Sequence, residues 1–354
     1  MLDAQLQSRL FATHTEAASA RGFKMPAEWE EHERTWMMWP TRTEVWSHLA
    51  ETKQNFATVA NAIVQFEPVT MLVSPSDEAE ARSLLGADVH VEVCPLDDSW
   101  ARDAGPNFLL SDDGQLGGAV FRFNAWGEQY VPYARDALVA ESVLRRTQAN
   151  IWFSELVAEG GAISVDGEGT LITTESCLLN TNRNPGWSKD EVTQELCRVL
   201  GVEKVIWLPG NDDETETNGH VDGIAQFVRP GLVLMETSFD TAHPWYDMFK
   251  RNIDALSGQM DAKGRKLDVV LIEDGYGCST HGEKFCTSYI NSYLVNGAVI
   301  MPKYGIATDD RAAAVYRRLY PEREIVQVCI DAIAEGGGGI HCITQQQPRV
   351  RSRR

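Results

Sequence analysis

The sequence predicts an α/β fold of about five repeated ββαβ modules, arranged radially so that each closes its last strand at one common face. Three observations carry this. Hairpin signals precede nearly every helical pattern, each helix is followed by one further short apolar strand, and the polar motifs that end these units fall at a regular interval. Glu159 to His220, His220 to His281 and His281 to Cys342 are each 61 residues apart, and Asp103 precedes Glu159 by 56. A doubly wound α/β sheet would show the same strand–helix alternation, but the hairpins count against it.

In chain order, residues 1–24 are polar with helical tendency and read as a loosely packed N-terminal extension. Phe56, Val59, Ala60, Ile63 and Phe66 recur at helical spacing, giving an amphipathic helix over 51–66. A buried strand over 69–73, a short helix capped by Ser76 and closed by Gly86, and a strand over 89–93 follow. Strands at 108–110 and 119–123 flank the turn signature Asp112-Asp113-Gly114, and a helix over 133–146 leads to a strand over 151–156. The next hairpin pairs 163–165 with 171–174, and Ser188 with Glu191 forms a capping box whose helix ends at Gly201. After a strand over 205–208, strands at 224–228 and 232–235, a helix over 243–257 and a strand over 267–272 repeat the plan. Asn296-Gly297 joins 288–295 to 298–301, the helix spans 309–319, and the strand over 325–329 delivers the chain to a glycine run. No linker divides the chain, so one domain over 1–354 is expected, with 349–354 a basic tail.

With 354 residues and 43% hydrophobic content, the chain can bury a substantial core. A net charge of −19 repels nucleic acid and anionic membrane surfaces and favours a small cationic partner. Seven cysteines without CxxC spacing indicate a reduced, intracellular protein. The first twenty residues carry Asp3, Arg9 and Glu16 and no sustained apolar run, so no signal peptide is expected; nor is any stretch long enough to span a bilayer. The expected compartment is the cytoplasm.

Near the C-terminus, Gly336 to Gly339 precede Ile340-His341-Cys342 and three glutamines. Consecutive glycines permit close backbone approach, which suits a thiol displayed as a nucleophile, although such a run is equally a surface loop with an incidental cysteine. If the module ends converge, Asp103, Glu159, Glu216, His220, Asp222 and Cys342 share one site. Carboxylates around a thiol suit a planar cation: a guanidinium between Asp103 and Asp222 would stay charged and its carbon electrophilic toward sulfur. His220, oriented by Glu159, would protonate the departing ammonia and later deprotonate water. Alone, each residue has a plainer reading. Asp103 could pair with Arg102, Asn218-Gly219-His220 could be a hairpin tip, residues 212–216 a solvated acidic loop, His341 structural, and Trp29, Trp36, Trp39 and Trp126 core. Their joint occurrence at module ends favours the catalytic reading.

The motifs also carry a resemblance over nearly the whole chain. The segment from Met25 to Pro40, Trp100-Ala101-Arg102-Asp103, Phe123 to Gly127, Val165 to Leu171, Asn182 to Pro185, Thr217 to Asp222 and Gly336 to Pro348 resemble, in order, the blocks of the agmatine deiminases. These belong to the guanidine-modifying, amidinotransferase-like superfamily. The resemblance implies a five-module pseudo-symmetric α/β propeller and hydrolysis of agmatine to N-carbamoylputrescine and ammonia without metal or cofactor. Cys342 then matches the nucleophile, His220 the acid/base and Glu159 its partner. Asp103, Asp222 and Glu216 match the substrate carboxylates, with Trp100 beside them, and a homodimer is possible. The chain departs from the family at Gly210-Asn211, at the short loop from Glu273 to Lys284 and at Gly339, which leaves another guanidino substrate, such as peptidyl arginine, open. The alternatives are an amidinotransferase, a metallohydrolase using His220, Asp222, Cys278 and His281, and a non-catalytic repeat scaffold. A last expectation is that Cys342 is alkylated fastest of the seven thiols, especially when a guanidinium occupies the site.

Overall fold

The computed structural model describes residues 12–46, 48–281 and 284–350, with the side chains of 279–281 outside that description. The described chain is a five-module pseudo-symmetric α/β propeller. In four modules the plan is sequential: an antiparallel hairpin, a helix, then a strand returning parallel to the hairpin's second strand. These are Asn107–Ser111 with Leu116–Arg122 and Asn150–Val157, then Ser164–Val165 with Thr170–Thr174 and Lys204–Leu208. Next come Ala225–Arg229 with Leu232–Thr237 and Asp268–Glu273, and Tyr293–Val295 with Ala298–Lys303 and Glu324–Cys329. The returning strand is parallel because a helix must carry the chain back across the sheet before it can pair again.

The remaining module is assembled from both ends of the sequence. His32–Met38 pairs in parallel with Val69–Val73 after the helix Leu49–Ile63, but its antiparallel partner is Thr344–Pro348, at the far end. This closes the ring. The closing strand holds Gln345, Gln346 and Gln347, all buried, and hydrophobic patterning does not reveal it. Its side chains are partly satisfied within the core: Gln345 Nε2 donates to the Pro106 carbonyl at 2.8 Å, and Gln347 Oε1 accepts from Trp36 Nε1 at 3.0 Å.

The central strands Val69–Val73, Thr170–Thr174 and Leu232–Thr237 are buried at every position, so none shows the alternation of apolar and charged residues of a half-exposed strand, and their threonines are buried with the rest. The capping box forms as the sequence predicts: Ser188 Oγ accepts from the Glu191 N–H, Glu191 accepts from the Ser188 N–H, and Gly201 ends the helix at φ +67°. The Asn296-Gly297 turn does more than reverse the chain. The Asn296 side chain accepts from the His32 N–H and donates to the His32 carbonyl, both at 2.9 Å, clamping the last module to the first.

Three local expectations are corrected. Of the N-terminal extension, residues 1–11 lie outside the described residues, and 12–24 are knitted in rather than loose. Thr13–His14 and Phe23–Lys24 add strands to the two edges of one sheet, and Phe23 is buried. Ser76 does not cap its helix, which spans Glu78–Leu84; its hydroxyl donates to Asp77, whose carboxylate also holds Lys53. The helix placed at 133–146 is a 3-10 turn at Asp136–Leu138 followed by Val139–Arg146, because the Asp136 carboxylate is bound to the Asp97 N–H. Residues 351–354 of the basic tail lie outside the described residues. No helix among the described residues is long and apolar enough to cross a membrane.

Candidate active site

Each parallel strand runs into a loop, and these loops meet. The glycine run packs against three walls, which explains its composition better than flexibility does. A Cβ at Gly336 would stand 2.2 Å from the Trp46 ring, one at Gly338 2.3 Å from Trp100, and one at Gly339 2.6 Å from Asn291 Oδ1; only Gly337 needs a positive φ, of +93°. Trp100 is thereby placed over the chain leading to the thiol, since the same Gly338 point lies 3.1 Å from Cys342 Cβ.

Gly161 triangulates the site. A Cβ there would stand 2.5 Å from His220 Nδ1, 2.9 Å from Asp103 Oδ1 and 3.1 Å from Asp222 Oδ2. Asp222 Oδ2 lies in turn 3.7 Å from Cys342 Sγ. Asp103, Glu159, His220, Asp222 and Cys342, drawn from four inter-strand loops, are therefore brought together as expected if the module ends converge, and all are buried.

Asp103 is not paired with Arg102. Its two oxygens accept from the Gly161 N–H at 2.9 Å and from Trp126 Nε1 at 3.0 Å, while Arg102 Nε reaches the His341 carbonyl at 3.4 Å. Trp126 is buried but is more than core. It sits in a run of four residues with positive φ, Ala125 to Glu128, three of them not glycine. Left-handed backbone at non-glycine residues is strained, and such strain concentrates where a side chain must be aimed. Here it aims the indole at Asp103.

His220 Nε2 lies 3.2 Å from Glu159 Oε2, and Nδ1 has no hydrogen-bond partner among the described residues and faces Asp103 at 3.9 Å. Glu159 is gripped on its other oxygen by Arg183 at 2.8 Å, and that guanidinium also reaches Asn182, Asn218 and the Thr217 carbonyl. Arg183 thus ties the carboxylate to the turn that carries His220. The expected solvated loop at 212–216 is partly an organiser: the Glu214 carboxylate accepts from the backbone N–H groups of Glu216, Thr217 and Gly219. Gly210-Asn211 packs behind the same turn, where the Asn211 N–H donates to Ser176 Oγ.

Glu216 stands beside the glycine run, 3.3 Å from the position of a Gly337 Cβ. It accepts from Tyr130 Oη at 2.5 Å and from Lys284 Nζ at 2.7 Å. Asn291 contacts the thiol itself: Oδ1 accepts from the Cys342 N–H at 3.2 Å, and Nδ2 lies 3.2 Å from Sγ.

Burial and neighbours set the charges. Burial, then Asp222 and Asp103, push the Cys342 thiol well above its ordinary pKa, so it rests protonated. Cys342 is consequently a slow thiol until a cation offsets those carboxylates, and the exposed Cys329 is better placed to be alkylated first. Burial opposes charge on His220, but Asp103, Cys177 and Glu159 outweigh it, and the ring stands well above the usual histidine range. Burial raises Glu159 and Asp222, yet Arg183 with His220, and His341 with His220 and Arg102, hold them below the ordinary carboxylate values. Burial, only partly offset by His220, raises Asp103.

These signs fix a pH dependence of stability. Burial pushes Asp98 up to about 6 and Asp136 and Asp274 up to about 7, so the folded chain keeps protons that the unfolded chain releases above about pH 4. His220 and His341, both raised, keep protons lost from the unfolded chain above about pH 6.5. The stability these groups supply is present at low pH and lost as pH rises through their folded values, whereas that of Glu28, held at about 2, is lost only in stronger acid. The melting temperature is expected to be highest near about pH 5 and several degrees lower at pH 8. A melting temperature rising across that interval would contradict these charge states.

One group of described residues has metal-ligand spacing: donor atoms of Glu159, Cys177 and His220 lie within 4.8 Å of one another. Arg183 already places a fixed positive charge on Glu159, which works against a cation there. The set His220, Asp222, Cys278 and His281 is not assembled as such a group among the described residues, and the His281 side chain lies outside those described.

The sequence profile of the Porphyromonas-type peptidyl-arginine deiminases matches residues 24–348. An agmatine deiminase of Pseudomonas aeruginosa is 42% identical over 362 aligned residues, covering 95% of this chain and 98% of that one. The solved agmatine deiminase of Enterococcus faecalis is 36% identical, with a TM-score of 0.91 over 95% of this chain and 99% of that one. A DDAH from Pseudomonas aeruginosa, 14% identical with a TM-score of 0.51 over 90% of this chain and all of that one, shares the fold alone.

Proposed function

Since the chain belongs to the Porphyromonas-type peptidyl-arginine deiminase family, we propose that it hydrolyses agmatine to N-carbamoylputrescine and ammonia through an amidino-thioether on Cys342. The observation that carries this is the buried pair Asp103 and Asp222 beside the thiol, with His220 at the same point. Two carboxylates set about one point suit a guanidinium, which presents N–H donors in matching pairs.

As the cation binds, it offsets the two carboxylates, and the Cys342 thiol gives up its proton to solvent, since the His220 ring is already protonated. The thiolate attacks the guanidinium carbon, forming a C–S bond. His220, protonated and held at Nε2 by Glu159, gives a proton from Nδ1 to the departing nitrogen as the C–N bond breaks. The now neutral ring takes a proton from water, the oxygen attacks the same carbon, and the C–S bond breaks as the new hydroxyl's proton passes to the sulfur, restoring the thiol and leaving a neutral carbamoyl group. The sum is one guanidinium and one water consumed, with one ammonia and one proton, the one the thiol gave up, released. Acid-quenched protein taken during turnover should carry an amidine adduct on the peptide containing Cys342. An unmodified peptide under conditions of steady ammonia release would count against the covalent route.

For the tail, Glu216 already holds a primary ammonium, that of Lys284, with Tyr130 on its other oxygen. A carboxylate that accepts a lysine ammonium fits the aminobutyl end of agmatine. The substrate then displaces Lys284, so Lys284→Met is expected to lower KM for agmatine several-fold with kcat little changed. An unchanged or raised KM would remove Glu216 from tail binding. On this reading residues from 103 to 342 serve one catalytic unit. Its seven free cysteines fit a reducing compartment such as the cytoplasm.

A further inference from the structure

His341 takes no part in the steps above, yet it is buried and bonded at both ring nitrogens to carboxylates. Nδ1 lies 2.8 Å from Asp222 Oδ2 and Nε2 lies 2.9 Å from Glu28 Oε2. An ionised carboxylate only accepts hydrogen bonds, and a neutral imidazole has a single N–H to give. Both contacts are satisfied together only by an imidazolium. Glu28 is itself anchored, since its other oxygen accepts from the Leu294 N–H at 2.9 Å.

We propose that His341 is a positioning residue, a permanently protonated bridge between Glu28 and Asp222 that holds Asp222 ionised and aimed at the substrate guanidinium. The inference rests on the reading of Asp222 as a guanidinium carboxylate. It also gives the residue's place beside the nucleophile a purpose. The His341 N–H donates to the Asn291 carbonyl at 3.2 Å, and its own carbonyl faces Arg102, so the backbone that presents Cys342 and the ring that fixes Asp222 are set by one residue.

The groups facing Asp222 are His341, Asp103, His220, Arg102, Cys342 and Cys286, the last from the segment before the final hairpin. Of these, His341 alone makes a short charge-assisted bond to the carboxylate oxygen nearest sulfur. Without it, burial dominates and Asp222 takes up a proton at higher pH, losing its grip on a cation.

The test has two arms. In the unmodified protein, nitrogen NMR of isotopically labelled histidine should show His341 protonated at both ring nitrogens at pH 8; a neutral ring with one bare nitrogen would overturn the proposal. This arm needs neither turnover nor a stable variant, so it stands apart from the assignment of agmatine as substrate. In the second arm, His341→Gln should lower kcat/KM for agmatine at pH 7 by about 10- to 100-fold. It should also move the acid limb of the kcat/KM profile upward by about one pH unit or more. A variant that melts lower but keeps the acid limb in place would reduce His341 to packing. Glu28→Gln, which keeps the ring and removes its far charge, should shift the limb in the same direction by less; no shift there alongside an unmoved limb in His341→Gln would also overturn it.

Discussion

Cys342→Ala is expected to leave no measurable ammonia release from agmatine, a loss on the order of 10⁵-fold or more, as for removal of any obligatory nucleophile. The reason is local. Asp103, Asp222, Glu159 and His220 bind and protonate, but none can form and break a bond to the guanidinium carbon in sulfur's place, since the carboxylates are committed to donors already. The fold should survive, because the sulfur's polar contacts are few and modest: Asn291 Nδ2 at 3.2 Å, Asp222 at 3.7 Å and the Gly339 backbone. A melting temperature close to that of the unmodified protein, with activity gone, separates chemistry from folding. Activity retained at even a tenth of the original would remove Cys342 from the mechanism.

The second large effect is expected from Asp222→Asn. Losing one carboxylate of a buried pair that holds a cation costs about 4 kcal/mol, so kcat/KM should fall by about 10³-fold. It also leaves His341 with one charged partner instead of two. The same change should make the resting thiol more acidic, since Asp222 is the leading neighbour among the groups that raise Cys342. Turnover and thiol reactivity therefore move in opposite directions: iodoacetamide should label Cys342 faster in Asp222→Asn while ammonia release collapses. Slower labelling together with slower turnover would point to general disruption of the site, and the electrostatic account would fail.

The module plan was legible because its cues are local. Asp112-Asp113-Gly114 and Asn296-Gly297 mark turns, Ser188 and Glu191 mark a helix start, and all stand where expected. Cys342, His220, Glu159, Asp103 and Asp222 were legible for a different reason: a repeated module puts its loop residues at a repeated interval, so chemistry-bearing side chains at that interval converge. What escaped was whatever acts across modules without a periodic cue. Gln345 to Gln347 form a buried strand whose partners lie more than 300 residues away. Arg183, Asn291, Glu28 and Tyr130 are ordinary polar residues until the fold aims them at Glu159, Cys342, His341 and Glu216. Trp126 and His341 were read as core and structure. Both are buried, but each donates to one of the two carboxylates proposed to bind the guanidinium. The resting protonation of Cys342 was not legible for a related reason, since burial and charge are properties of the assembled site.

The most direct measurement is ammonia release by the purified protein offered agmatine, free arginine and a peptide ending in arginine, with Cys342→Ala in parallel. The account predicts release from agmatine alone, abolished by the substitution, because Glu216 and Tyr130 offer an acceptor for an ammonium tail next to a guanidinium-sized pair of carboxylates. Release from arginine or the peptide but not from agmatine, or release that persists in Cys342→Ala, would contradict it.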